Sequence, residues 1–219
     1  MLLDGLKNTI IISLLAILTG LAIGLVTCAL ARSKFIVLRG LAKIYVWCVR
    51  GTPMIVQAFV VFFAFPQVIQ MINPTFRIDA FTAGYITLSI NAGAYMSEIF
   101  RGGIDAVSHG QVEAARSLGM SKLHTTFKVV LPQAFKICIP SLVNQFIITV
   151  KDSSILTCIG LPEVVNKAQV YVGKTYAFFP TYILVAIFYL VVISILMVIS
   201  KFIEKKLQYE TKRGRRNGN

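Results

Sequence analysis

Charged and amide side chains interrupt otherwise apolar segments of the sequence at Asn91, Glu98 and Asn144, and again at Lys151 and Asp152. Within a membrane such groups are costly unless they face a cavity, water or a partner. A carboxylate in that setting could bind the amino group of a solute, and the Lys151–Asp152 pair could act as a gate or clamp. We therefore predict that these five residues line a solute pathway.

Most of these residues also have a purely structural interpretation. Glu98 could pair with Arg101, three residues further along the same helix. Lys151 and Asp152 could extend to the water interface, and the Asn144 amide could form an internal hydrogen bond that lipid cannot offer. The sequence leaves both interpretations open.

No catalytic or metal-binding arrangement is expected in this sequence. Gly173-Lys174-Thr175 matches the end of a phosphate-binding loop, but Ala168 occupies the position of its first glycine and no strand precedes it. His109 and His124 are predicted to be solvated surface residues. The cysteines lack C-x-x-C spacing, which favours small buried side chains over a metal site or disulfide; they are Cys28, Cys48, Cys138 and Cys158.

The composition places the chain among membrane proteins. Of its 219 residues 56% are hydrophobic and 14% are charged, and the mean hydropathy is +0.75. Soluble domains carry about 25% charged residues. The net charge of +13 does not indicate nucleic-acid binding, because the basic residues lie between and after the apolar runs rather than along one face.

The apolar runs predict an all-α integral membrane protein that forms one transmembrane domain over residues 1–219. Gly20 and Gly24 have the four-residue spacing that lets another helix approach closely. A loop is predicted at 101–136 and a basic tail at 201–219. About five spans are predicted, at 9–31, 54–71, 80–100, 137–150 and 177–200.

The distribution of basic residues predicts the orientation. With five spans, the connection at 32–51, the loop at 101–136 and the tail at 201–219 share one side, and they hold 17 of the 22 Lys and Arg residues. By the positive-inside rule this side is cytoplasmic and the N-terminus is outside.

The loop at 101–136 is the longest polar segment, and its pattern predicts two short helices. Ser108 with Gln111 forms a capping-box pattern at the start of the first helix. Gly119 is suited to end it in a left-handed conformation. Ser121 can cap the second helix, which is expected to stop before Pro132.

The same loop carries a motif: Glu113-Ala114-Ala115, Gly119, and then Phe127 and Leu131-Pro132. This pattern resembles the cytoplasmic coupling loop of permease subunits from ABC-type importers. Further elements resemble the polar amino acid branch of that family, and together they cover most of the chain. In order, they are Arg50-Gly51-Thr52-Pro53, Gly93-Ala94-Tyr95, Glu98-Ile99, Arg101-Gly102-Gly103, Gly110-Gln111, Leu131-Pro132-Gln133-Ala134 and Lys151-Asp152-Ser153-Ser154.

The resemblance implies a permease subunit, not an enzyme, that carries an amino acid across a bacterial-type cytoplasmic membrane. It implies a dimer with a second permease, identical or similar, and an extracytoplasmic solute-binding protein. It also implies two copies of an ATP-binding subunit, which hold the ATP and Mg, so that this chain needs no cofactor. The residues expected to couple to that subunit are Glu113, Ala114, Ala115, Arg116, Gly119, Leu131 and Pro132.

Three other functions remain open from the sequence. The chain could be an ABC permease for another small solute, although the motifs of the amino acid branch weigh against this. It could be a secondary transporter driven by an ion gradient, although no internal repeat is visible. A membrane anchor without a pathway is disfavoured, because it would gain nothing from polar residues within its spans. Among amino acids, basic ones, glutamine, glutamate and cystine are candidates.

Overall fold

The computed structural model describes the backbone of residues 2–216 and the side chains of residues 2–205. This part of the chain is helical without strands, which confirms the predicted all-α class. The α-helices are α1 Leu2–Ala31, α2 Ile36–Gly51, α3 Met54–Phe59, α4 Phe65–Gln70, α5 Ala80–Asp105, α6 His109–Ser117, α7 Lys122–Thr125, α8 Leu131–Asp152, α9 Val164–Thr175 and α10 Phe178–Arg216.

Helices α1 and α5 form the most extensive helix pair, and glycines allow their close approach. A Cβ atom added to Gly20 would lie 2.9 Å from Cβ of Ala92, and one added to Gly24 would lie 2.7 Å from Cβ of Met96. Both distances are shorter than any normal carbon contact. The predicted role of the Gly20–Gly24 spacing is therefore confirmed, and α5 is the helix that it accommodates.

We expect Gly24→Ala to destabilise the folded chain by about 1–3 kcal/mol, because the added methyl group overpacks the contact with Met96. The thermal unfolding midpoint in detergent measures this effect. Gly40→Ala in α2 is the matched control, since nothing lies within 4 Å of an added Cβ there. The control should keep or slightly raise the midpoint, and equal midpoints for both variants would contradict the prediction.

Two of the prolines inside continuous helical runs each follow a π-helical turn. The turn at Val60–Ala64 precedes Pro66, and the turn at Thr126–Val130 precedes Pro132. In the second turn the Leu131 N–H donates to the Thr126 carbonyl, five residues back. The wider turn accommodates a proline that lacks an N–H and would clash with an α-helical carbonyl.

The prediction that the second loop helix stops before Pro132 is therefore wrong. Helical structure runs without a break over Lys122–Ile159, and α5 extends to Asp105. The extended, non-helical part of the 101–136 loop is consequently short. It consists of a few residues on either side of α6.

The basic connection at 32–51 is mostly helix α2, which the sequence did not predict at full length. It is bent by 108° against Met54–Gln70. The bend occurs at Thr52 and Pro53, which are both extended. Pro53 explains the break, because the residue before a proline avoids helical conformation.

Among the described residues, three helices are long and apolar enough to cross a membrane: Leu2–Ala31, Lys122–Ile159 and Phe178–Lys205. The bent pair Ile36–Gly51 and Met54–Gln70 is a fourth if it counts as one span. Helix α5 has 26 residues and carries the polar groups of the predicted third span. The count of five spans and the orientation remain predictions. The basic tail is helical to Arg216, and residues 217–219 of the predicted tail lie outside the described residues.

Candidate solute pathway and coupling surface

Glu98 lies about two turns before the end of α5 and binds two arginines. The Arg101 guanidinium donates to both carboxylate oxygens, from Nε at 3.0 Å and from Nη2 at 2.8 Å. Arg50, at the end of α2, places Nη1 at 3.3 Å from Oε2. The Arg101 pair is therefore formed, as its i,i+3 spacing indicates. Arg50 is a second partner from a different helix.

The same ionic contacts join three helices. Arg50 lies over the ring of Tyr95, with Cζ at 5.2 Å from the ring centroid, a cation–π distance. Arg101 also reaches Asp105 at 3.3 Å, and Asp105 binds Arg32, the residue after the end of α1, at 2.7 Å. The chain of charges thus fixes the end of α2 and the end of α1 against α5.

Glu98 and Asn144, which come from different predicted spans, line one open cavity of about 750 Å³. This volume is within the range of about 300–1,000 Å³ that is typical of small-molecule sites. The sequence analysis did not assign Arg50, Tyr95 or Lys201 to a pathway. The lining residues are Arg50, Tyr95, Glu98, Ile99, Pro140, Ser141, Asn144, Gln145, Ile147, Met197, Ser200, Lys201 and Glu204.

The cavity wall carries both signs of charge. Arg50 and Lys201 are the cations, and Glu98 and Glu204 are the anions. A solute with an ammonium group and a carboxylate can therefore find a partner for each end. The Asn144 amide supplies one donor and one acceptor group for a polar side chain.

Asn91, by contrast, does not line this cavity. Its Nδ2 donates to Oε1 of Gln57 at 3.1 Å. Gln57 in turn donates from Nε2 to the Val49 carbonyl at 2.7 Å and to the Thr52 carbonyl at 3.1 Å. Asn91 therefore acts through Gln57 to hold the bend between α2 and α3, the bend that places Arg50 beside Glu98.

Lys151 and Asp152 do not line the cavity either, and they are the last two residues of α8. Lys151 is exposed and Asp152 is half-buried. Neither side chain forms an ion pair with another of the residues that the structure describes. The structure therefore brings Glu98 and Asn144 together and leaves the other three predicted pathway residues outside.

Helix α6 presents the Glu-Ala-Ala motif on its surface. Glu113, Ala114 and Arg116 are exposed, whereas Ala115 is buried. Gly119 has φ of +83°, the left-handed conformation that its position predicts. The Arg116 guanidinium donates to the Met120 carbonyl and so braces this turn.

Of the two N-terminal helix caps predicted in this loop, only one forms its hydrogen bond. Ser121 accepts a hydrogen bond from the His124 N–H at 3.3 Å and caps α7, as predicted. Ser108 does precede α6, but its side chain makes no capping bond. The predicted capping box at Ser108 is therefore wrong in its hydrogen bond and correct in its position.

Large apolar side chains surround the exposed motif. Leu118 is 85% exposed and Leu123 is 71% exposed, and Phe127 lies nearby in sequence at 63%. Leu131 is half-buried and Pro132 is exposed at the start of α8. Of these side chains Leu118 lies outside the candidate spans, and an exposed apolar side chain beside the motif suits a protein–protein contact.

Comparison with known protein families agrees with this arrangement. Residues 16–209 match the family model for the binding-protein-dependent transport system inner membrane component. The chain belongs to this family. The resemblance to ABC importer permeases, drawn above from the loop motif, is thereby confirmed.

Curated relatives cover nearly the whole permease. A putative glutamine transport system permease protein GlnP from Rickettsia conorii is 36% identical over 204 residues, which is 93% of this chain and 91% of that protein. The arginine transport system permease protein ArtQ from Bacillus subtilis is 37% identical over 207 residues, or 94% and 92% of the two chains.

Solved structures share the fold of the permease. A crystal structure of an amino acid ABC transporter with histidines superposes with a TM-score of 0.87 at 34% identity, covering 94% of this chain and 93% of that one. The inward-facing MetNI methionine ABC transporter matches with a TM-score of 0.74 at 18% identity, covering 94% and 96%. The second similarity shows the fold alone.

The sequence analysis missed Glu163, which is fully buried in the permease. Its carboxylate caps α9 by accepting from the N–H groups of Val165 at 2.8 Å and Asn166 at 2.6 Å, and it accepts from the Tyr189 hydroxyl at 3.2 Å. Burial raises the pKa of Glu163 above its ordinary value. Its position just before an apolar helical segment was the available signal.

We expect Glu163→Ala to lower the stability of the permease by about 1–3 kcal/mol, because it removes the acceptor for two N–H groups at the start of α9. Differential scanning fluorimetry of the detergent-purified protein measures this loss. Glu163→Gln is the control, since its amide oxygen can still accept a hydrogen bond. A smaller loss for alanine than for glutamine would contradict the capping role.

Proposed function

We propose that this chain is the permease subunit of an ATP-driven importer that carries a polar amino acid across the cytoplasmic membrane. The main support for this proposal is the open cavity whose wall contains the negatively charged Glu98 next to the positively charged Arg50. An amino acid presents the same two charges at its own ends. Family membership and relatives named for glutamine and arginine transport support the same conclusion.

In this proposal the Glu98–Arg50 pair exchanges partners when the solute enters. The substrate ammonium group binds Glu98, and the substrate carboxylate binds the guanidinium of Arg50 that Tyr95 supports. Arg101 continues to hold Glu98 from outside the cavity. Asn144 contacts the side chain of the solute, and an amide there suits glutamine as well as a basic amino acid.

ATP hydrolysis is assigned to a separate chain. Two copies of an ATP-binding subunit, with their ATP and Mg, dock on the coupling helices of the permease dimer, and in this chain that helix is α6, with Glu113, Ala114 and the neighbouring exposed apolar residues. The short rigid helix with its Gly119 turn transmits their closure to the continuous run that begins at Lys122. Leu131 and Pro132 lie at the point where that run leaves the loop.

The remaining assembly follows from the same family. A second permease, identical or similar, completes the dimer, and an extracytoplasmic solute-binding protein delivers the amino acid. The name of the family, which refers to binding-protein-dependent transport, supports this partner. Lys151 and Asp152 remain candidates for contacts outside the cavity.

The test is purification of the tagged chain from its native membranes in mild detergent, followed by mass spectrometry and reconstitution. We expect an ATP-binding subunit to copurify, and proteoliposomes of the complex to take up glutamine or arginine only with ATP and the binding protein. A chain that copurifies with no ATPase and transports on an imposed ion gradient would contradict the proposal.

A further inference from the structure

Gln145 of α8 is a buried amide in the wall of the solute cavity, the open cavity that Glu98 and Asn144 also line. It is only 5% exposed. Its backbone carbonyl accepts from the Thr149 hydroxyl at 2.9 Å, but its side-chain amide forms no hydrogen bond with any other residue that the structure describes. A buried amide without a partner is costly, so we expect an occupant of the cavity to supply the missing bonds.

Two comparisons within the permease set this amide apart. Asn91, the other buried amide residue in the described part of the chain, is 7% exposed and is paired with Gln57. Some buried hydroxyls there lack a partner and are sealed from any opening; they belong to Thr9, Ser13 and Ser89. The amide atoms of Gln145 are not sealed in this way, and the cavity that the residue lines provides their opening.

Gln145 belongs to a polar turn of α8 that faces the cavity. Ser141, Asn144 and Gln145 have the i, i+3, i+4 spacing that places side chains on one face of a helix, and all three line the cavity. None of these side chains is hydrogen-bonded to another described residue. Helix α8 therefore supplies neutral donors and acceptors that are free to bind an occupant.

The charged groups of the cavity wall come from other helices and balance each other. Arg50 of α2 and Glu98 of α5 carry opposite charges, and so do Lys201 and Glu204 of α10. Such a balance suits the charged ends of an amino acid and favours neither an acidic nor a basic side chain. The neutral groups on α8 are then the ones that remain for the side chain of the solute.

We propose that Gln145 selects an amino acid whose side chain ends in a carboxamide, as in glutamine. This inference rests on the proposed function and names its substrate class. The solute carboxamide and the Gln145 amide each carry one carbonyl oxygen and one NH2 group, so they form two reciprocal N–H···O bonds. Asn144, the preceding residue in the same wall, binds the second N–H of the solute carboxamide.

Other polar side chains satisfy only half of the Gln145 amide. A carboxylate accepts from its NH2 group and leaves Oε1 without a donor, whereas a guanidinium donates to Oε1 and leaves the NH2 group without an acceptor. A site that hydrogen-bonds its substrate discriminates against analogues that leave its buried polar groups unpaired. Glutamate and arginine therefore bind more weakly than glutamine, although their charged ends can bind in the same way.

The experiment is isothermal titration calorimetry of the purified permease with its ATP-binding subunits, in detergent and without nucleotide. The solute-binding protein is left out, so that its own specificity does not contribute. The probes are L-glutamine, L-glutamate and L-arginine. We expect the Kd for glutamine to be lower than the other two by at least about tenfold, a comparison that needs no variant.

Two substitutions test the role of Gln145 itself. Gln145→Met keeps the length of the side chain and removes both hydrogen-bonding groups, so it should weaken glutamine binding about tenfold and arginine binding much less. Gln145→Glu supplies an acceptor without a donor, and it should reverse the preference in favour of arginine. Gln169→Met is the control, because Gln169 pairs with Thr157 outside the cavity and its loss should leave all three Kd values unchanged.

The outcomes separate this inference from the proposed function. If the wild-type complex binds none of the amino acids and shows no ATP-dependent uptake of them, both fail. If it takes up amino acids but binds all three probes equally, only the carboxamide selectivity fails. An unchanged preference in Gln145→Met and Gln145→Glu, or a loss of the permease dimer in place of a change in preference, would also overturn the role of Gln145.

Discussion

Replacing Glu113 with lysine is expected to reduce ATP-driven uptake by at least about tenfold while leaving the permease inserted and folded. Glu113 is exposed on α6, so the change disturbs no internal packing. A reversed charge at the docking surface of the ATP-binding subunit costs several kcal/mol when a complementary group faces it. Uptake by proteoliposomes, measured beside ATP hydrolysis by the same sample, reports the loss.

Two control variants test whether the loss of uptake is specific to the charge of Glu113. Gln111→Lys adds a positive charge to the same exposed helix outside the motif, and it should retain most of the uptake. Glu113→Gln should fall between wild type and Glu113→Lys. Normal uptake by Glu113→Lys, or an equal loss in Gln111→Lys, would remove the assigned role of the motif in coupling.

Replacing Glu98 with glutamine is expected to raise the KM for uptake by about tenfold to hundredfold. The carboxylate that binds the substrate ammonium group is lost, and a charged hydrogen bond of this kind contributes about 1.5–3 kcal/mol. Arg50 also loses its partner in the cavity wall. Initial rates of uptake over a range of amino acid concentrations give the KM and the maximal rate separately.

The matched variant for Glu98 is Arg101→Gln, which removes the structural ion pair and leaves Glu98 facing Arg50. If Glu98 serves the solute, Arg101→Gln changes the KM by only a few-fold, because both charges in the cavity remain. If Glu98 served only to pair with Arg101, the two variants would have equal effects. Equal KM values for the two variants would therefore exclude the pathway role.

Local sequence patterns predicted several features because each depends on neighbouring residues. The left-handed turn at Gly119, the Ser121 cap and the close approach at Gly20 and Gly24 follow from the chemistry of one residue and its spacing. The apolar runs predicted the all-α class in the same way. The uneven distribution of Lys and Arg residues between the connections on the two sides of the membrane predicted the orientation without reference to any partner protein.

Other predictions failed where a distant or cooperative effect decided the conformation. The sequence suggested that Pro132 ends a helix, but a π-helical turn just before it keeps the run continuous. The basic residues at 32–51 suggested a connection, whereas their apolar neighbours fold into α2. In both cases the helix continues through residues whose types alone suggest a break or a connection.

The sequence by itself determined the helical class, the positions of the coupling motif and of Glu98, and the family to which they point. Only the tertiary structure decided which polar residues meet. It placed Arg50 against Glu98 through the bend at Pro53, turned Asn91 towards Gln57, and left Lys151 apart. The reason is that these contacts join helices far apart in sequence, and their geometry depends on the angles at which the helices cross.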